Sequence, residues 1–335
     1  MLEHGGKLRA AARCYGIPLA DWLDLSTGIN PNGWPVPNVP TSMWSRLPED
    51  DDELENAALV YYGTKAILPV AGSQAAIQAL PRLRAFSRVG ILYPSYNEHA
   101  HAWARAGHNV VALAVDAVDA AVADLDVLVL IHPNNPTGAR FQRDTLLRWH
   151  EQLAARGGWL IVDEAFMDAT PEQSLAACSP QSGLIVLRSL GKFFGLAGAR
   201  VGFAIAEPIL LARLNALLGP WTVAGPARWL ATQALRDHAW REAARYRLVK
   251  DSARLAALLA THGLAPNGSC ALFQWICTSR AAELHDRLAR RGILARRFDD
   301  PASLRFGLPG NEPAWKRLDA ALLTVCRTEN REVVA

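Results

Sequence analysis

Seven short apolar runs, each closed by turn-forming or polar residues, limit the possible folds more than any other feature of the chain. They are Ile67–Val70, Val89–Tyr93, Val110–Val115, Val127–Ile131, Trp159–Val162, Leu184–Leu187 and Val201–Ile205. Runs this short and uniformly apolar suit strands buried on both faces. Stretches of helical periodicity lie between most of them, such as Ala75–Phe86 and Arg143–Arg156. Strands alternating with helices imply an α/β fold with a mostly parallel sheet covered on both sides. The first forty residues carry Asn30-Pro31-Asn32-Gly33-Trp34-Pro35 and further prolines, which forbid long helices there. Beyond Pro226 the texture changes to a helical region from Arg228 to about His262. A smaller α+β segment follows, with strand-like Ala271–Cys277 and Ser303–Gly307 around a helix near Ala281–Arg291. The expected organisation is a large domain over 41–225 and a small one built from both chain ends, 1–40 with 226–335.

The remaining bulk features exclude whole classes of function. A net charge of +3, spread along the chain without a basic stripe, argues against nucleic-acid binding. No apolar stretch reaches membrane-spanning length, and Met1-Leu2-Glu3-His4-Gly5-Gly6 does not read as a signal peptide. The five cysteines are an odd number, widely spaced and without a C-x-x-C pair, as expected of free thiols in a reducing cytoplasm.

Open parallel sheets bind ligands beyond the carboxyl ends of their strands, and five of these ends carry unusual residues. Gly72-Ser73-Gln74 opens a helix, either as an anion site or as a plain cap. In Ser95-Tyr96-Asn97-Glu98-His99, Tyr96 can stack on a flat ring or simply fill the core. A metal site at His99 and His101 is discarded, because residues two apart do not share a helix face. Pro133-Asn134-Asn135-Pro136-Thr137-Gly138 is a rigid turn that can hold an amide outward. Asp163, ending a buried run, needs a partner: a cationic pyridine nitrogen, a structural ion pair or a magnesium ion. Finally, Ser189-Leu190-Gly191-Lys192 is followed eight residues later by Arg200. A lysine among Leu, Phe and Ala is desolvated and readied for imine formation, although lone lysines more often snorkel at a surface.

Taken in order along the chain, Pro-Asn-Asn-Pro-Thr-Gly, Asp-Glu-Ala-Phe and Ser-Leu-Gly-Lys resemble the fold-type-I pyridoxal-phosphate enzymes. These have the aspartate-aminotransferase-like fold, a large seven-stranded, mostly parallel sheet domain plus a small α+β domain. The resemblance falls in the histidinol-phosphate aminotransferase branch and is nearest to the threonine-phosphate decarboxylases of cobalamin biosynthesis. It spans His4-Gly5-Gly6 to Leu304-Arg305-Phe306-Gly307. It implies pyridoxal 5'-phosphate as cofactor, with Lys192 as the Schiff-base lysine and Asp163 as partner of the pyridine nitrogen. Asn135 would contact the ring oxygen, Tyr96 would stack on the ring, and His99 would support Asp163. Gly72, Ser73, Gln74, Ser189 and Arg200 would form the phosphate cup. Arg305 would grip the substrate carboxylate, with Arg296 as a second arginine and Asn135 also facing the substrate. His4, Gly5, Gly6 and Asn30 would hold a phosphate on the substrate, using the imidazole and bare backbone N–H groups.

Two departures stand out. Phe166 occupies a position where the branch often has tyrosine, and Arg46-Leu47-Pro48 replaces Arg-Tyr-Pro, whose tyrosine reaches a neighbouring subunit's cofactor. The implied activity is decarboxylation of L-threonine O-3-phosphate, a small phosphorylated amino acid, by a cytoplasmic homodimer. Trp22, Trp34 and Trp44 are expected to supply contact area. The alternatives are a histidinol-phosphate-type aminotransferase on the same scaffold, or an inactive fold kept as a binding or regulatory protein. The full set of cofactor residues and the absence of an appended helix-turn-helix speak against the last.

Overall fold

The structure is a computed structural model, and it describes residues 5–326. After a two-residue strand β1 (Leu23–Asp24), the chain builds a sheet from seven strands. These are β2 (Leu68–Val70), β3 (Arg88–Leu92), β4 (Asn109–Leu113), β5 (Val127–Ile131), β6 (Trp159–Asp163), β7 (Leu184–Ser189) and β8 (Gly202–Ile205). Their spatial order is β2-β8-β7-β6-β5-β3-β4. β3 to β7 pair in parallel, and β8 alone runs against its neighbours β7 and β2. Every residue of β5 and β6 is buried, as the uniformly apolar runs require. Burying each of these Val, Leu or Ile side chains contributes about 1.5–3 kcal/mol.

Five further strands follow: β9 (Gly268–Cys270), β10 (Phe273–Cys277), β11 (Ile293–Leu294), β12 (Arg296–Asp299) and β13 (Ala302–Gly307). Four of them form an antiparallel sheet in the order β12-β13-β10-β9, while β11 pairs in parallel with β1. By contact density, among the described residues, one compact unit comprises 5–32, 136–138 and 246–326, and the other 33–135 and 139–245. The sequence pattern places these transitions near residues 40 and 225. Among the described residues no helix is long and apolar enough to cross a membrane.

Two helical expectations are corrected. The stretch Ala75–Phe86 is an α-helix only over Ser73–Ala79 and continues as one 3-10 turn, Leu80–Leu83. Pro81, lacking an N–H and crowding the preceding turn, ends the regular helix. The region from Arg228 to His262 is two helices, Gly225–Arg236 and His238–Thr261. Asp237 breaks it: its backbone leaves helical geometry, and its Oδ1 accepts the Trp240 N–H at 3.0 Å as an N-cap. Its other oxygen accepts the Trp34 indole N–H at 3.0 Å.

Behind the ends of β6 and β7 lies a buried ionic cluster. The Arg188 guanidinium donates to Glu164 Oε2 at 2.5 Å and to Asp168 Oδ1 at 2.7 Å. Ser174 Oγ and the Leu175 N–H also donate to Glu164, and the Tyr61 hydroxyl donates to Asp168. All three charged residues are almost completely buried. Replacing Arg188 by methionine strands two carboxylates in a low dielectric, which costs about 3–5 kcal/mol. Denaturant unfolding of R188M is expected to show that loss. A decrease below about 1 kcal/mol would mean the cluster is not a stabilising ion network.

Candidate active site

Residues beyond the ends of β2, β3, β5, β6 and β7 line one cavity. Lys192 is in its wall, and its Nζ lies 5.5 Å from the centre of the Phe166 ring. Lys192 follows β7 by three residues, and Phe193 and Phe194 directly after it are fully buried. Those two rings pack on Trp240, with centroids 5.4 and 5.6 Å away, so the backbone at the lysine is anchored from behind.

Asp163, the last residue of β6, is buried and faces the same cavity. Its Oδ2 lies 2.9 Å from Nε2 of buried His99, and its Oδ1 accepts the Ala165 N–H at 3.1 Å. Asn135 and Tyr96 also line the cavity. Burial first, then the carboxylates of Asp163 and Glu98, push the Tyr96 phenol up to about 12, so it stays protonated at neutral pH. His132, between β5 and the asparagines, is buried, and that burial lowers it to about 4. It is therefore neutral near pH 7, which the sequence reading did not anticipate.

The same cavity is also lined by Ser73, Ser189 and Arg200. Arg200 adopts a left-handed conformation (φ 55°, ψ 49°), which costs about 1–2 kcal/mol for a residue with a Cβ. Gly72 has φ +71°, and a Cβ there would come within 2.5 Å of Arg200 Nη2, so glycine lets the guanidinium approach. Ser189 Oγ accepts the Gly191 N–H at 3.2 Å. Gln74 lines the same cavity, and its side-chain amide is bonded to Tyr96 and Glu98. Strand-end reading could not see this, because Glu98 is 24 positions away.

The other predicted residues belong to the other compact unit. Arg305 on β13 stands opposite Arg296 on β12. Arg305 is buried and donates to the Ser26 carbonyl at 2.6 Å. Burial, with Arg296 adding to it, lowers Arg305 to about 10, which leaves it cationic at neutral pH. Gly5, Gly6, Ser26 and Arg296 line one pocket, joined by Lys7, His285 and Arg297, which sequence reasoning missed. The Gly6 N–H is not bare as expected: it donates to Ser26 Oγ at 2.8 Å. A Cβ on Gly5 would fall 2.4 Å from the Ser26 carbonyl oxygen, so close packing on Ser26 requires that glycine. Asn30 is buried, accepts the Asn32 N–H at 3.0 Å and is not in the lining of that pocket. His4 lies outside the described residues.

A model of the family "Aminotransferase class I and II" matches residues 43–325. The threonine-phosphate decarboxylase of Pseudomonas aeruginosa is 61% identical over 323 residues, covering 96% of this chain and 98% of the relative. That of Sinorhizobium sp is 43% identical, covering 96% and 97%. Among solved structures, a histidinol-phosphate aminotransferase from Sinorhizobium meliloti in complex with pyridoxal-5'-phosphate aligns with a TM-score of 0.84 at 21% identity. It covers 97% of this chain and 95% of that one, a likeness that shows the aspartate-aminotransferase-like fold. With a family match over most of its length and full-length relatives at 61% and 43% identity, this chain belongs to the aminotransferase class I and II family, on the side of its threonine-phosphate decarboxylases.

Proposed function

We propose that the protein is a pyridoxal-phosphate-dependent decarboxylase that converts L-threonine O-3-phosphate to (R)-1-amino-2-propanol O-2-phosphate and carbon dioxide, in cobalamin biosynthesis. The observation that carries the choice of reaction is the 61% identity to a threonine-phosphate decarboxylase over nearly the whole of both chains. The chemistry of the donor set fits the cofactor. One cavity holds an amine, a buried acceptor-only carboxylate, an outward amide, and a cluster of two hydroxyls with one guanidinium.

Lys192 would hold pyridoxal phosphate covalently through its amine. Ser73, Ser189 and Arg200 would take its phosphate, and Tyr96 would lie against its ring. Asn135 would donate to the ring oxygen. Phe166, lacking a hydroxyl, offers no second donor. Asp163, itself fixed by His99 and the Ala165 N–H, would hold a proton at the ring nitrogen. When bound, the cofactor supplies an electron sink for the pair left on Cα as carbon dioxide departs. The Lys192 amine, freed by the substrate, is the group suited to return a proton to Cα.

Arg305 would bind the carboxylate that is lost. Like charges opposite each other on paired strands repel, so Arg296 facing Arg305 is a costly pair that an anionic substrate would relieve. Arg296, in the pocket that Gly5 and Gly6 line, would receive the substrate phosphate together with His4. Fixing both anionic ends aligns the scissile bond. Charge-assisted hydrogen bonds are worth about 1.5–3 kcal/mol each. Arg305→Ala is therefore expected to lower kcat/KM roughly a hundredfold. Lysine at that position should not restore it, because one ammonium cannot bind a carboxylate in two-point fashion. Full rescue by lysine would remove Arg305 from this role.

The test of the reaction is its requirement for a keto acid. Turnover of phosphothreonine is expected without 2-oxoglutarate, whereas strict dependence on it would make the protein an aminotransferase. The protein would work in the cytoplasm as a homodimer. Trp22 and Trp34 are buried within their own units and offer no contact area, but Trp44 and Leu47 are exposed, at 69% and 65%. A monomer in sedimentation at all concentrations, with full activity, would overturn the dimer.

A further inference from the structure

Gln74, like Asp163, is a side chain of the cavity described above that is held by a residue outside its lining. The Gln74 amide lies between two partners. Its Nε2 is 2.7 Å from Glu98 Oε2, and its Oε1 is 3.1 Å from the Tyr96 hydroxyl. Gln78 Nε2 donates to the same Glu98 oxygen at 3.0 Å. Glu98 opens the helix Glu98–Arg105, two residues after Tyr96, and Gln74 and Gln78 lie one helical turn apart after β2.

The proton inventory of this chain of groups leaves one solution. A carboxylate only accepts hydrogen bonds, so the end of the Gln74 amide that faces Glu98 must be its NH2. The carbonyl end then faces Tyr96, so the phenol must donate to it. Were Glu98 neutral and amide-like, both orientations of Gln74 would be allowed, and the hydroxyl could donate or accept. The charge on Glu98 thus fixes a hydrogen-bond direction two groups away. An ion-assisted bond at one end of such a chain also polarises the next bond. The phenol is raised to about 12 by burial and the nearby carboxylates, so over the working range it keeps the proton this arrangement needs.

We propose that Glu98 is a positioning residue that acts through Gln74 to lock the Tyr96 ring, so that its face is held ready for a flat, phosphate-bearing heteroaromatic cofactor. Glu98 is not among the residues that line the cavity. Its effect is to remove the rotation of the Tyr96 side chain about its own bonds, a freedom that binding would otherwise have to freeze. The Gln74 side chain accordingly serves Tyr96. This inference rests on the proposed binding of pyridoxal phosphate in the cavity.

The test is a double-mutant cycle on cofactor affinity, measured by fluorescence on cofactor-free protein. Glu98→Gln keeps size and removes charge, and it is expected to weaken binding roughly fivefold to tenfold, the worth of one neutral hydrogen bond. Tyr96→Phe should weaken it by a similar factor. In the Tyr96→Phe background, Glu98→Gln should add less than about a twofold effect, because the hydroxyl it acts through is gone. The visible circular dichroism of the bound cofactor, which reports the asymmetry of its ring contacts, should change in the same sense in both single variants. Gln74→Met, which cuts the relay in the middle, is to be read in the same way if Glu98→Gln does not fold. No effect of Glu98→Gln on affinity, or an equal effect in both backgrounds, would overturn the relay. A wild-type protein that does not bind pyridoxal phosphate would instead overturn the reading of the cavity.

Discussion

Lys192→Ala is expected to abolish turnover, lowering kcat by at least about a thousandfold, and to remove the only site of covalent cofactor attachment. The effect is this large because the amine is needed twice in the proposed reaction: to hold the cofactor and to return the proton. The substitution should also be clean. Phe193 and Phe194 are clamped against Trp240, so removing the lysine side chain leaves the backbone of the segment where it was. Borohydride reduction of the wild-type protein, followed by peptide mass spectrometry, should find the pyridoxyl group on Lys192 and nowhere else. An adduct on a different lysine, or activity of the alanine variant within tenfold of wild type, would remove Lys192 from the reaction.

Asp163→Asn should come next in size, with kcat reduced on the order of a hundred- to a thousandfold and the fold retained. Asparagine matches the carboxylate in shape and can keep a contact with His99 Nε2, now 2.9 Å away, because a neutral imidazole can donate or accept there. Only the negative charge is lost, and that charge is what would keep a proton on the ring nitrogen and so make the ring an effective electron sink. Thermal unfolding near that of wild type, with the drop confined to kcat, is the expected pattern. A variant that retains more than a third of the activity would show that the carboxylate is structural.

The strand ends were legible because their information is local. Buried parallel strands read as continuous apolar runs, and the residue that closes each run is read directly: Asp163, Asn135, the Ser189–Lys192 segment. Gly72 and Arg200 were legible as types, but not the reason they belong together: a Cβ on residue 72 would fall 2.5 Å from Arg200 Nη2. What could not be read depended on distant partners. Asp237 splits a helical stretch because its side chain caps the second half and receives Trp34, some 200 residues earlier. Gln74 resembles a phosphate ligand by position, yet Glu98 and Tyr96 take its amide. Trp22 and Trp34 looked like interface material because large apolar side chains near a terminus have no periodicity to declare which way they face. Both are in fact buried. The Arg188–Glu164–Asp168 cluster was invisible because its pairs are 24 and 20 positions apart, although Glu164 and Arg188 adjoin the motif residues Asp163 and Ser189.

Carbon balance during turnover separates decarboxylation from transamination most directly. Phosphothreonine labelled with carbon-13 in the carboxyl group, incubated with the holoenzyme in deuterated buffer without any keto acid, should release its label as carbon dioxide. The release should match, mole for mole, the formation of 1-amino-2-propanol O-2-phosphate carrying one deuterium at the carbon that lost the carboxylate. Retention of the label in an organic acid, with product appearing only when 2-oxoglutarate is added, would contradict decarboxylation and make the protein an aminotransferase.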